Sequence, residues 1–334
     1  MSAPTANHNP RQENEFPANS SAGPIYAIAG SGVIPGRRGI VFAGSGSGLL
    51  RSTDGGQSWQ DALSNLNLPE PLPVMALTLS PAFEQDGLVL AGAPGGILRS
   101  ADAGQSWQVV QLPPPPPVVT ALAVSQIHSQ ETGAFTLFAG TMEDGVLLST
   151  GGGLGWTAWN FGLLDLNVLC LAVSPDDAQD ETLFAGTDSG IFRSTNGGRA
   201  WREVALPFGF DAVLCLAFAP RPAGPSHFDE DPVLYAGTES QGLWVLKGES
   251  GWSQIGQFDE PVNAVLPRGD EILVLAGAAL FRRSARENAW TNALPPSFAG
   301  REVSAVFAPQ EDARNHKALV GFVDGSIKVV TLNV

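Results

Sequence analysis

The sequence predicts an all-β chain folded as a single seven-bladed β-propeller, its last blade either three-stranded or closed by the N-terminal segment. Three observations predict it. One unit recurs at spacings in the forties, the period of a propeller blade: an apolar strand, a loop, a strand ending in Ala-Gly, a Gly turn, a further strand, and a turn ending at Trp. A background with 39 Gly, 26 Pro and only 15% charged residues suits short strands joined by tight turns better than long amphipathic helices. Each unit also opens with a nearly continuous apolar run, as expected of a strand covered on both faces by neighbouring blades.

The chain divides into a polar tail, residues 1–24, read as disordered, and the propeller, residues 25–334. The tail is rich in Asn, Pro and Ser and holds no apolar core of signal-peptide length. Innermost strands are read at residues 25–29, 74–79, 118–124, 168–173, 212–218, 262–266 and 303–307. Second and third strands follow in FAGSGSGLLRS (42–52), LAGAPGGILRS (90–100), FAGTMEDGVLLST (138–150) and FAGTDSGIFRST (184–195). Weaker copies are YAGTESQGLWVL (235–246), LAGAALFRRS (275–284) and VGFVDGSIKVV (320–330). The matched glycines are Gly44, Gly92, Gly140, Gly186, Gly237, Gly277 and Gly321, separated by 48, 48, 46, 51, 40 and 44 residues. A lone four-stranded sheet cannot bury both faces, whereas stacked neighbours can, so seven units imply seven blades. The seventh unit shows no fourth strand. Its edge is one that the tail around Phe16 could latch, or to which a partner could add a strand near residues 327–332.

The turns before each Trp are the most specific signal: STDGGQSW (52–59), SADAGQSW (100–107), STGGGLGW (149–156) and STNGGRAW (194–201). They resemble the Asp-box, or BNR repeat, of pattern S-x-D-x-G-x-x-W. Ser52, Asp54, Gly56 and Trp59 complete one copy, and Ser100, Asp102, Gly104 and Trp107 a second. Ser194, Asn196, Gly198 and Trp201 form a variant with Asn for the acid. The third blade keeps Trp156 but has Gly151 at the acid position, and blades five and six keep only Trp252 and Trp290. The Asp-box family includes sialidases, xyloglucan-cleaving hydrolases, sortilin-type receptors and the photosystem II assembly factor. The resemblance implies a structural box: Asp and Ser bond backbone N–H groups of the turn, Gly takes a positive φ, and Trp packs between blades.

Composition narrows the function classes. Thirty-three acids against 18 bases give a formal charge of −15, which disfavours nucleic acid and suits a basic protein partner. No apolar run reaches about 18 residues, so no membrane span is expected. Cys170 and Cys215 are too few for a disulfide framework and lie in apolar runs, which fits free thiols and a cytoplasmic, reducing location. No cofactor or metal is expected. His8, His128, His227 and His316 lack ligand spacing, and the acidic loops SPDDAQDE (174–181) and FDEDP (228–232) read as solvated turns rather than calcium loops. Residues 113–117, five prolines, read as a rigid spacer.

Catalytic residues are expected to be absent. A sialidase needs an arginine cluster and a Tyr nucleophile. The only tyrosines are Tyr26 and Tyr235, and Tyr235 replaces the Phe or Leu that precedes Ala-Gly, a packing position. A two-carboxylate glycosidase of the xyloglucanase kind resembles two propellers around a cleft, and one propeller lacks the second wall. The expected function is a non-enzymatic scaffold or recognition subunit of a bacterial-type protein assembly. Its binding face is formed by inter-blade loops and the turns after Ala-Gly. That face carries Glu70, Glu143, Asp144, Asp165, Asp188, Asp211, Glu239, Asp259, Glu260 and Asp324 with Leu66, Leu68, Phe161, Leu163, Phe208, Phe210, Phe258 and Phe298. Within this set the residues chosen for partner contact are Glu70, Glu143, Asp144, Phe161, Asp188, Phe208, Phe210, Glu239, Phe258 and Asp259. The alternative is a carbohydrate-binding or carbohydrate-cleaving protein, which should show exposed Trp platforms at the spare Trp159 or Trp244.

Overall fold

Apolar runs four to seven residues long, cut by Gly turns, leave each repeat able to form only short antiparallel ladders, and the chain folds accordingly. The computed structural model describes residues 23–31, 39–128, 133–220, 232–284, 287, 289–308 and 316–333. Seven small antiparallel sheets stand in a ring, giving a seven-bladed β-propeller. Blade one is Ile25–Gly30, Val41–Ser45, Gly48–Ser52 and Gln60–Asp61, in that order from the inside outwards. Blades two to six repeat the order with four strands each, and blade seven has three: Val303–Phe307, Lys317–Phe322 and Ile327–Thr331. The expected latch around Phe16 lies outside the described residues.

The repeat glycine has a packing reason. A Cβ on Gly44 would lie 2.4 Å from Val74 O, and on Gly237 it would lie 2.4 Å from Val262 Cγ1. Gly92, Gly140 and Gly186 meet Val119, Val168 and Val213 in the same way. Each glycine is therefore the point where the next blade's innermost strand comes closest. At the seam, a Cβ on Gly321 of blade seven would lie 2.7 Å from Ile25 Cβ of blade one, so the ring closes by the same contact. Blade six departs from the expected register. Leu275 pairs with Ala264 in the position that Gly237 holds opposite Cys215, and Gly277 falls in the following turn at φ +55°.

In the turns that resemble Asp-boxes, the Ser and Asp side chains bond the local backbone. Ser52 Oγ donates to Asp54 Oδ1 at 2.7 Å and accepts from Gly56 N at 2.8 Å. Asp54 Oδ1 also accepts from the N–H groups of Gln57 and Ser58 at 2.9 Å each. Asp102 repeats this network with Ser100, Gln105 and Ser106. Asn196 keeps only part of it, from Ser194 Oγ and Ala200 N, and in blade three Ser149 Oγ accepts from Gly153 N alone. Gly56 and Gly104 sit at φ +89° and +76°, pressed on Leu319 and Phe42 of the preceding blade. Trp107 packs edge-on against Phe42 at 5.9 Å, so box and Trp together stitch one blade to the last. Arg51 and Arg99 add a strap, each donating through Nε to a carbonyl of the next blade's turn, Ala103 O and Gly152 O.

One expected solvated turn is a clamp instead. Asp177, within residues 174–181, is buried and accepts from Ser125 Oγ and from Gln126 N at 3.0 Å, both of blade three. Burial pushes its carboxyl above the ordinary value, against the hydrogen bonds that hold it down. Position overrides the acidic character of the run, because the turn presses one face onto the neighbouring blade. Asp180 is likewise committed, to Ser174 Oγ at 2.8 Å.

Candidate interaction face

Antiparallel blades send their connections to two faces, and the inter-blade loops share one face with the turns between second and third strands. Side-chain exposure is unequal between them. Among the described residues nine large apolar side chains are exposed, and seven of them lie on or at the rim of this face: Tyr26, Met142, Phe161, Leu164, Leu166, Phe210 and Val323. Val109, on an outermost strand, and Leu154, in a box turn on the opposite face, are the other two. Phe161 and Phe210 are each 81% exposed and Leu164 79%, the most uncovered apolar side chains described.

The loops that hold them are pinned. Leu163, next to Leu164, is buried among Phe138, Val146 and Trp201, and Trp201 N donates to Phe161 O at 2.8 Å. The loop therefore turns one leucine inward as an anchor and leaves Phe161 and Leu164 outside. Asp165 holds the next stretch: its carboxylate accepts from Asn167 N at 3.0 Å and from Ser189 N of the neighbouring turn at 2.9 Å. Partial burial pushes that carboxyl up, and bonds from Ser189, Asn167 and Thr187 outweigh it, leaving it below the ordinary value. Asp211 does the same for blade five, accepting from Ser240 N and Gln241 N. Rigid loops lower the ordering cost of a contact surface.

The ten predicted contact residues separate into groups. Glu143, Asp144, Phe161 and Asp188 surround blades three and four, where Asn167 accepts from Glu143 N at 2.9 Å and donates to Asp188 Oδ2 at 2.9 Å. Phe210 and Glu239 are exposed around blade five, whereas Phe208 is half-buried against Trp244, with ring centres 4.8 Å apart. Phe258 is also half-buried, 5.3 Å from both Phe281 and Trp290, beside exposed Asp259. Glu70 is exposed alone between blades one and two. Of the other apolar candidates, Leu163 is core, and Leu66, Leu68 and Phe298 pack onto core clusters. Leu164, Leu166 and Met142 went unselected, although the run Leu163–Leu164–Asp165–Leu166 in a loop, without an adjacent strand to pair, was a usable signal.

Residues considered for chemistry fall into structural places. Tyr235 packs in the core of blades five and six, where burial raises its phenol above the ordinary value. Trp159 and Trp244 are both half-buried, Trp159 beneath Arg199 and Trp244 donating through Nε1 to Gln241 O at 2.8 Å. Cys170 and Cys215 are free, and their thiols donate to Val213 O and Val262 O of the next blade. Burial pushes the Cys215 thiol up to about 12 and that of Cys170 well above its usual value. Among the described residues no helix is long and apolar enough to cross a membrane. Among the described residues no group of His, Cys, Asp and Glu is placed to hold a metal; His8 and His227 lie outside them, as do residues 228–231.

No protein-family model matches the chain, and no curated protein matches it. Solved structures do. A GH74 xyloglucanase from Xanthomonas campestris is similar at 15% identity over 94% of this chain, with a TM-score of 0.68. The extracellular domain of BT4673 from B. thetaiotaomicron is similar at 16% identity over 93% of this chain, with a TM-score of 0.66. YCF48 from Cyanidioschyzon merolae shares 13% identity over 95% of this chain and 97% of its own, with a TM-score of 0.61. The chain spans 52% of the xyloglucanase and 39% of the BT4673 chain. At these identities the likeness is one of fold: a β-propeller architecture shared by glycoside hydrolases and other proteins.

Proposed function

We propose that this chain is a non-enzymatic recognition or scaffold subunit that binds a protein partner through its inter-blade loop face. The observation that carries the reading is the gathering on that face of seven of the nine large apolar side chains exposed among the described residues, with Phe161, Leu164 and Phe210 the least covered of them. Exposed aromatic and aliphatic anchors on rigid loops supply burial energy for a partner, and surrounding carboxylates set approach and orientation. Glu143, Asp188 and Glu239 supply that rim here. The partner surface that fits is apolar at its centre and basic at its edge, which also suits a chain of formal charge −15. The two free thiols fit work in a reducing compartment, the cytoplasm.

Full-length tagged protein, recovered from its native host at low salt, should bring down a stoichiometric partner that is released as salt rises. Phe161→Ser with Phe210→Ser should lower recovery of that partner at least about tenfold, the loss of roughly 1.4 kcal/mol or more from two anchors, with the thermal midpoint unchanged. Undiminished recovery by the double variant would sink the reading. Retention or cleavage of a glycan by a chain that recovers no protein would replace it with the carbohydrate alternative.

A further inference from the structure

The same face holds one large cleft beside blade six, apart from the exposed cluster on blades three to five. Its volume is about 850 Å³, within the range of sites that take a ligand of several side chains' bulk. The floor is Leu280 and Phe281 of the third strand, Ala279–Ser284. Phe258 forms one wall from the loop before blade six, and Phe298 the other from the loop after it. Both walls are braced: Phe258 lies against Trp290, and Phe298 stacks on Phe322 at 5.8 Å with the rings 4° from parallel.

Charge at the mouth is one-sided. Asp259 and Glu260 stand on the first wall and Glu302 on the second, all three exposed. Among the described residues no side chain donates a hydrogen bond to any of these three carboxylates. Arg301, the one cation among the described residues that line the cleft, is committed elsewhere: it lies 3.7 Å from the centre of the Phe322 ring and bonds Asp324 Oδ2 at 2.7 Å. An apolar, aromatic-walled slot with three uncommitted carboxylates at its mouth complements a side chain that is greasy at its root and a cation beside it. Phe faces add attraction for such a cation.

We propose that this cleft receives a short extended segment of a protein partner in which a bulky apolar side chain stands next to a lysine or arginine. The inference rests on the protein-binding reading of this face and names a second, sequence-selective contact on it. The apolar side chain enters between Phe258 and Phe298, and the cation lies among Asp259, Glu260 and Glu302.

The test uses fluorescein-labelled decapeptides with a central Phe-Lys-Arg, Ala-Lys-Arg or Phe-Glu-Glu and otherwise Gly and Ser, read by fluorescence anisotropy against the full chain at low salt. The Phe-Lys-Arg peptide should saturate, and the other two should bind at least about tenfold more weakly. Ala278→Trp, which fills the cleft from an exposed turn, and Glu302→Lys, which reverses a rim charge, should each weaken it at least about tenfold. Phe161→Ser with Phe210→Ser should leave it unchanged. No saturation, equal binding of all three peptides, or binding indifferent to both cleft variants would overturn the proposal. Should that happen while partner recovery still depends on Phe161 and Phe210, the cleft inference alone falls. Peptide binding that needs the cleft, with partner recovery indifferent to Phe161 and Phe210, keeps the cleft and removes the exposed cluster.

Discussion

Asp102 shows how much a single side chain carries in this fold. Its carboxylate accepts from Ser100 Oγ, Gln105 N, Ser106 N and Ser106 Oγ, and so fixes a seven-residue turn that presses Gly104 onto Phe42. Slight burial raises the carboxyl, but bonds from Ser106, Ser100 and Gln105 outweigh it and bring it to about 2. Asp102→Ala should cost about 1–2 kcal/mol at pH 7, read as a lower urea midpoint, since several charge-assisted hydrogen bonds are lost from a partly solvated turn. The pH sign follows from the depressed value. The contribution is fully present above the unfolded-state value near 4, and it fades as pH falls through about 2. The stability gap between wild type and Asp102→Ala should therefore narrow between pH 4 and pH 2. Asp102→Asn should lose less, because Asn196 shows that an amide keeps the bonds from Ser194 Oγ and Ala200 N.

At the scale of one element, the hairpin joining the first two strands of blade six replaces apolar packing with buried charge. Glu271 Oε1 lies 2.9 Å from Arg268, and its Oε2 2.8 Å from Arg282 Nε of the adjacent strand, with all three residues buried. Desolvating such groups is expensive, so the ions hold the hairpin in one register rather than adding much net stability. Removing the shared carboxylate is the costly change. Glu271→Ala should destabilise the protein by about 3–5 kcal/mol, measured by chemical denaturation, because two buried guanidinium groups lose their common partner. Arg268→Met with Glu271→Met and Arg282→Met together should cost far less than the single change, and the comparison separates charge burial from packing. Nothing in the run Arg268–Gly269–Asp270–Glu271 distinguishes it from a solvated turn in sequence, since burial there comes from how the blades pack.

The ring as a whole is held by a contact repeated at its seam. Ile25 of blade one is fully buried against Gly321 of blade seven, as Val213 is against Gly186 inside the ring. Ile25→Ala should lower stability by about 2–4 kcal/mol in one cooperative transition, with tryptophan fluorescence and circular dichroism coinciding, rather than loosening one blade alone. The likeness to solved propellers of differing roles leaves function to the site rather than the fold.

Seven blades, their inner strands and the box turns were legible in the residues themselves. Period, alternation of Gly turns with apolar runs, and the local Ser–Asp–Gly–Trp pattern are properties of neighbours along the chain, and short-range sterics and hydrogen bonding act on neighbours directly. In blade six the count holds but Gly277 is not the counterpart of the other matched glycines, because the ladder slips by two residues relative to the Ala-Gly pair, a choice made between strands. The candidate interaction face was legible only as a set of loops. Phe161, Phe208 and Phe258 each stand in an inter-blade loop and read alike as contact residues, yet Phe161 is exposed and the other two pack against Trp244 and Trp290. The cleft beside blade six likewise exists only between loops about 40 residues apart, and the clamp at Asp177 joins residues of two neighbouring blades. The sequence by itself determined the repeat and therefore the architecture, because local chemistry specifies each turn. Only the tertiary structure decided which side chains face water, because exposure depends on what the adjacent blade places opposite them.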